Sequence, residues 1–358
     1  MRFVSVLHLK PNMVLAFPLF DAGLSVLLGK GIVLSETHIQ RINKLGYAGV
    51  YIDDEETRDI VVEDIIPTDL RIQTIQAARE IMQQATQSGP DGRLNMNRDR
   101  QKRIIMPVIE ALIARQKRFV DMIDVKPYDQ YDYYHTANVV VLSILLGLEI
   151  GLSGNQIYDL GISALLHDIG IAFIPKSVIN KPERLLPEEY ELVKSHTDLG
   201  FSYLRNHLDL SIDACMGTLH HHENYDGSGY PNGLQRDRIS IYGRIISIAD
   251  VFDAMISRRP YRQPMYPDAA MEYLILRSGT MFDPDLVRAF HRSVALYPSG
   301  CIVELNSGVQ CFVLENYIEN SARPRVQMKP EYSETTVILD LKNDPDLENV
   351  SVAKIVDM

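Results

Sequence analysis

Short apolar runs separated by turn residues open the chain. Residues 3–7 and 13–16 flank Lys10, Pro11 and Asn12 and read as β-strands, and residues 27–31 read as a strand closing into a turn. Ser35 has the chemistry of an N-cap for a helix over 36–45, which Gly46 stops. Residues 49–52 form another strand-like run, and the acidic Asp53, Asp54, Glu55 and Glu56 after it read as a solvated turn. From Thr68 the pattern changes to helical periodicity. Leu70, Ile72, Ile75, Ala78, Ile81 and Met82 fall near one face of a helix over 68–87, which Ser88, Gly89, Pro90, Asp91 and Gly92 break. A second long helix is predicted over 97–123. Helical segments continue to about Ala295, and strand signals are scarce among them. The longest apolar stretch, 139–150, is interrupted by Ser143 and Glu149 and is too short to span a bilayer, so it reads as a buried helix.

After Tyr297, Pro298, Ser299 and Gly300 the chain returns to β-type runs at 301–305, 309–314, 325–328 and 336–339, with Asn306, Ser307 and Gly308 as a hairpin turn. The expected fold class is mainly α. A small N-terminal α+β module (1–66) and a small C-terminal β subdomain (298–358) flank an all-α region (67–297) that begins with the long helices.

A chain of 358 residues suits two or three domains. At 46% hydrophobic residues it can build a sizeable core, which argues against wholesale disorder. The formal net charge of −11 argues against broad electrostatic capture of DNA or of an anionic membrane, while leaving room for a local basic pocket. Cys215, Cys301 and Cys311 have no C-x-x-C spacing and form an odd set, so neither a disulfide framework nor a cysteine zinc site is expected. Reduced thiols and the lack of a signal-type apolar N-terminus point to a cytoplasmic protein without membrane insertion.

The histidines cluster in the helical region. His135 lies near the start of one predicted helix, and His167 and Asp168 close another. His196 follows, then His221 and His222, and Asp250 ends an apolar run. A single histidine at a helix end is ordinarily just a polar residue, and His8, His38, His207 and His291 are read so. Adjacent helical residues point about 100° apart, so His220 is not expected to share a site with both of its neighbours. The joint set of imidazole and carboxylate donors, without cysteine, suits iron, manganese, nickel or zinc in a site with open positions. Six or more donors exceed what one catalytic metal takes. A carboxylate bridging two metals about 3.5–4 Å apart suits phosphoryl chemistry.

HDIG at 167–170, HHE at 221–223 and DGSGYPNGL at 226–234 resemble the HD-GYP family of phosphodiesterases. The likeness runs over residues 131–290 and takes in Ile174-Pro175, Asn180-Lys181-Pro182, Arg244, Asp250, Asp253, Arg259, Arg262 and Asp283. It implies an all-α metallohydrolase of the bacterial cytoplasm that cleaves cyclic di-GMP to pGpG or GMP. The metal ligands it implies are His135, His167, Asp168, His196, His221, His222 and Asp250, with Asp168 as the bridge and with His167, Asp168 and Asp250 at the chemistry. Iron is the first metal it implies and manganese the alternative. Some members hold a third metal through a glutamate where Tyr131 stands here, so two ions are expected. Gly229 and Tyr230 in a Gly/Pro-rich turn, and the guanidinium forks of Arg259 and Arg262, are the expected substrate contacts.

The family's usual lysine after HDIG is Ile171 here, which removes a cation beside the scissile phosphate. Ser240, where Ile-Pro is usual after Ile239, reads as a structural change. Three readings follow: a cyclic di-GMP phosphodiesterase; a cyclic di-GMP receptor with little or no turnover that signals to a partner; and a hydrolase of another cyclic dinucleotide. A homodimer through the long helices is left open.

Overall fold

The structure, a computed structural model, describes residues 1–21, 23–115, 119–121, 131–181, 183–257, 264–333 and 335–356, with residue 131 described by its backbone alone. The N-terminal part contains β1 (Arg2–Ser5), β2 (Val14–Leu15), β3 (Leu19–Phe20), β4 (Val26–Leu28), α1 (Glu36–Lys44) and β5 (Gly49–Asp53). β5 is the middle strand of an antiparallel sheet of order β1-β5-β2, with Phe3 opposite Tyr51, and β3 pairs with β4. Ser35 caps α1 as expected, its hydroxyl accepting from the His38 N–H while the His38 ring accepts from the Ser35 N–H.

The helical part comprises α2 (Thr68–Ser88), α3 (Arg98–Ala114), α4 (Tyr131–Glu149), α5 (Gly154–Leu166), α6 (Lys176–Ile179), α7 (Pro187–Lys194), α8 (His196–His207), α9 (Ile212–His220), α10 (Ile241–Ile256), α11 (Pro267–Leu276) and α12 (Pro284–Ser293). Its axis is α4. Val139, Val140, Ile144, Leu145 and Leu146 are fully buried around that helix, which packs against α2, α5, α10 and α12. A helix apolar on all sides belongs at the centre of such an assembly.

The expected helix over 97–123 is corrected. Asn97 caps it, but it stops at Ala114; Arg115 is extended, and Val120 pairs with Val294 as a parallel bridge. The reason lies in the sequence. The buried stripe Ile105, Val108, Ile109, Leu112 ends there, leaving a continued helix little to bury, and residues 116–118, 122 and 123 of that expectation lie outside the described residues.

The chain closes with β6 (Ile302–Leu305), β7 (Gln310–Glu315), β8 (Arg325–Met328), β9 (Ile338–Asp340) and β10 (Val352–Val356), an antiparallel sheet of order β10-β6-β7-β8-β9. β10 joins the edge beside β6 and was not read from the sequence. The N- and C-terminal sheets pack on each other. Phe3, Tyr51, Ile60, Ile302 and Phe312 share one buried cluster, and the Phe3 N–H donates to Gly300 O at 3.0 Å. Among the described residues no helix is long and apolar enough to cross a membrane. All three cysteines are buried and unpaired.

Candidate metal centre

Helix ends and junctions bring the expected donors together. His167 is the C-cap of α5, and Asp168 follows it. His196 stands where α7 passes into α8, and His221 is the C-cap of α9 with His222 next to it. His135 projects from the second turn of α4 and Asp250 from α10.

Three of the rings are oriented by one device. The Nδ1–H of His167 donates to Ala164 O at 2.8 Å, that of His196 to Val193 O at 2.7 Å, and that of His221 to Thr218 O at 2.7 Å. Each acceptor lies three residues back, in the last turn of a helix whose final carbonyls lack intrahelical partners. The bond fixes the tautomer and leaves the Nε2 lone pair aimed inward. The Nε2 of His167 is buried, and no hydrogen bond holds it among the described residues.

The donors fall into two groups. His135, His167 and Asp250 form one, and Asp168, His196, His221 and His222 the other, with ligand atoms within 4.8 Å of each other in each. Asp168 faces both. Its Oδ2 is 3.3 Å from His167 Nε2, and its Oδ1 is 3.4 Å from His196 Nε2 and 3.7 Å from His221 Nε2.

Protonation suits a cation. Burial pushes His196 and His222 below the usual imidazole range, which keeps them neutral. Burial also opposes charge on Asp168 and Asp250, but the surrounding imidazoles outweigh it and hold both carboxyls below their ordinary range. His135 has carboxylates on both sides, Asp250 at 3.0 Å and Asp253 at 2.8 Å. Despite burial they raise it to about 9. His196 and His222, neutral beside the ionised Asp168 and Asp250, are donors of the kind a divalent ion requires; at His135 and His167, which the neighbouring carboxylates raise despite burial, an ion would take the place of a proton, so these residues fit one or two such ions.

Asp253 is a positioning residue that sequence reasoning left without a fixed role. It is almost fully buried, and it binds His135 Nδ1 through one oxygen while Asn138 Nδ2 donates to the other at 2.7 Å. Arg71 on α2 donates to Asn138 at 2.5 Å and to Asp64 at 2.8 Å. A line of hydrogen bonds thus runs from residue 64 to His135. The available signal was spacing, since Asp250 and Asp253 lie three apart on one face of α10.

Two glycines of the motifs serve close approach. A Cβ on Gly170 would meet His196 O at 1.9 Å, so only glycine lets the 3₁₀ turn over Ile169–Phe173 pass the start of α8. Gly229, expected at the substrate, does not line the cleft. A Cβ there would meet the His222–Asn224 backbone, and its place is to seat Tyr230, whose ring stacks on His222 at 4.9 Å. Glu223, almost fully buried, holds this loop by accepting from the N–H groups of Asn232 (2.7 Å) and Leu234 (2.9 Å). His220 belongs to neither donor group and accepts from the Ser240 N–H at 3.1 Å.

The open side of the centre forms a cleft of about 1200 Å³, lined by Asp168, His222, Tyr230 and Asp250 and also by Ile171 and Lys176. Lys176 is the one lysine or arginine among the described lining residues, and the sequence reading passed over it. Its signal was a basic residue shortly after HDIG. Arg259 and Arg262 lie outside the described residues, as does the side chain of Tyr131.

The HD domain model matches residues 103–286, just over half of the chain. The chain belongs to the HD domain family. It carries HDIG at 167–170 and GYP at 229–231. It is 34% identical over 63% of its length to a cyclic di-GMP phosphodiesterase of Pseudomonas aeruginosa, aligned over 54% of that protein. It is 42% identical over 45% of its length to a cyclic di-GMP phosphodiesterase of Thermotoga maritima, aligned over 44% of that protein. A 3′3′-cGAMP-specific phosphodiesterase of Vibrio cholerae is 37% identical over 43% of this chain and 30% of its own. The HD chain thus spans about half, or less, of the length of these curated relatives.

Proposed function

We propose that this HD-domain chain is a metal-dependent phosphodiesterase that hydrolyses cyclic di-GMP to pGpG or GMP. The observation that carries the reading is Asp168, whose two carboxylate oxygens face two separate groups of buried donors. His135, His167 and Asp250 would hold one ion and His196, His221 and His222 the other, with Asp168 shared between them. Iron is the first candidate and manganese the second. When bound, two such ions polarise a phosphodiester oxygen and lower the pKa of a water.

The chain's own residues orient and enclose the substrate. The fixed Nδ1 bonds keep three imidazoles from turning, and Tyr230 on His222 closes one side of the cleft. Arg259, Arg262 and Lys176 are the cations for the phosphates. The cleft exceeds the roughly 300–1,000 Å³ of ordinary ligand pockets, so a dinucleotide has room. Two curated relatives named for cyclic di-GMP support the substrate, and buried free thiols suit a reducing cytoplasm.

The test is anaerobic purification followed by metal analysis and a cyclic di-GMP hydrolysis assay on one sample. About two transition-metal ions per chain, with pGpG or GMP formed and a chelator abolishing turnover, is the expected result. The apolar Ile171 in the cleft favours a second reading, a receptor. It would appear as tight cyclic di-GMP binding without product.

A second measurement concerns Lys176. Lys176→Met should weaken cyclic di-GMP binding at least about tenfold, the effect of losing one charge-assisted contact, with metal content unchanged. Calorimetric titration checks it. Unchanged affinity would leave the phosphates to Arg259 and Arg262.

A further inference from the structure

The cleft has a wall that the family match does not include. Helix α2 ends fifteen residues before the matched segment begins at residue 103. It nonetheless packs against the 3₁₀ turn that follows Asp168, and it lines the cleft with Ile81, Met82, Gln83, Thr86 and Gln87. Gln83, Thr86 and Gln87 are exposed, and no hydrogen bond holds either glutamine amide among the described residues. Positions 83 and 87 stand one helical turn apart, on neighbouring places of one face.

The chemistry of this wall differs from the rest of the cleft. It carries no charge, whereas the metal centre carries carboxylates and the cleft's described cation is Lys176. An uncharged wall of amides and apolar side chains suits a neutral heterocycle, not a phosphate. Each amide offers a donor and an acceptor, which is what the edge of a purine requires. Met82, half-buried, offers apolar surface to the ring face.

The relatives sharpen the point. Proteins named for cyclic di-GMP and for 3′3′-cGAMP resemble this chain to a similar degree, 42% and 37% identity. Residues common to both cannot choose between guanine and adenine. Choice of base has to come from residues that the two do not share.

We propose that α2 forms a nucleobase subsite in which Gln83 and Gln87 read the edge of a purine and set base preference. The inference rests on the cyclic dinucleotide reading above. Its test compares the full chain with the Gln83→Leu/Gln87→Leu variant on three substrates: cyclic di-GMP, 3′3′-cGAMP and the base-free diester bis(p-nitrophenyl) phosphate. Metal content is measured on the same samples.

The expected result is a roughly tenfold or larger change in the cyclic di-GMP to 3′3′-cGAMP ratio of kcat/KM, the size of one or two lost neutral hydrogen bonds. Hydrolysis of the base-free diester and metal content should stay within about twofold of the parent. Gln83→Glu, which keeps the acceptor and removes the donor, should shift the ratio differently from Gln83→Leu. An unchanged ratio in a parent and variant that both cleave cyclic dinucleotides overturns the α2 subsite and leaves the function intact. A parent that cleaves only the base-free diester overturns the substrate reading and the subsite with it.

Discussion

Asp168→Ala should empty both donor groups and bring hydrolysis to background. The carboxylate's two oxygens approach both groups, at 3.3 Å from His167 Nε2 and 3.4 Å from His196 Nε2. Losing an outer-shell partner of a metal ligand typically costs roughly 10–100-fold in affinity. Removing a shared ligand should exceed that for each ion. The imidazoles around it would also lose the negative charge that favours a cation among them. Metal content measured together with turnover checks this. A variant that keeps full metal and unchanged turnover would remove Asp168 from the centre. Asp168→Asn keeps the size and loses the charge, so equal metal loss there would assign the effect to charge and not to a cavity.

The second large effect is a gain. Ile171→Lys should raise kcat about tenfold, inside the roughly 10²–10³ that one transition-state donor can supply, while tightening substrate binding much less. Ile171 already lines the cleft, and its backbone is fixed by its own N–H donating to Asp168 O at 2.9 Å. A lysine there enters the same space beside the centre. An effect confined to kcat is the signature of a contact made mainly in the transition state. Steady-state kinetics on metal-replete protein checks it. A variant no faster than the parent would mean that Lys176 or an arginine already supplies the charge. Lys176→Met alone and in the Ile171→Lys background tells these apart: where Lys176 already supplies the charge, the single variant is slowed and the added lysine restores its rate; where an arginine supplies it, Lys176→Met leaves kcat unchanged in both backgrounds.

Part of the donor clustering was readable because His167, Asp168, His221 and His222 are rare residue types in short motifs that sit at helix ends. HDIG and HHE name the residues, and each C-cap places them. What was not readable depends on distant chain meeting in space. The role of Asp253 emerges only when α10 lies beside α4 and brings it to His135. The wall formed by α2 appears only when that helix folds back over the turn after Asp168. Gly229 looked like a ligand-contacting glycine because a flexible turn and a tightly packed turn use the same residue; the neighbouring backbone decides between them. The helix over 97–123 was overextended for a local reason, since helix-favouring residues continue past Leu112 while the buried stripe does not. The strand Val352–Val356 alternates weakly, with Lys354 inside it, and only its pairing with β6 makes it a strand.

The joining of the two terminal sheets bears on how the helical part can be handled. Ile302 and Phe312 are covered by Phe3, Tyr51 and Ile60, residues some two hundred and forty or more positions away in sequence. The helical part is therefore an excursion that leaves one β body and returns to it. Excising residues 1–66 would not yield a tidy minimal helical domain. It would lay bare an aromatic and aliphatic face built to be covered, the kind of patch that drives self-association. It would also delete Asp64, the far end of the hydrogen-bonded line that reaches His135. The smallest sound unit of this molecule includes both of its margins.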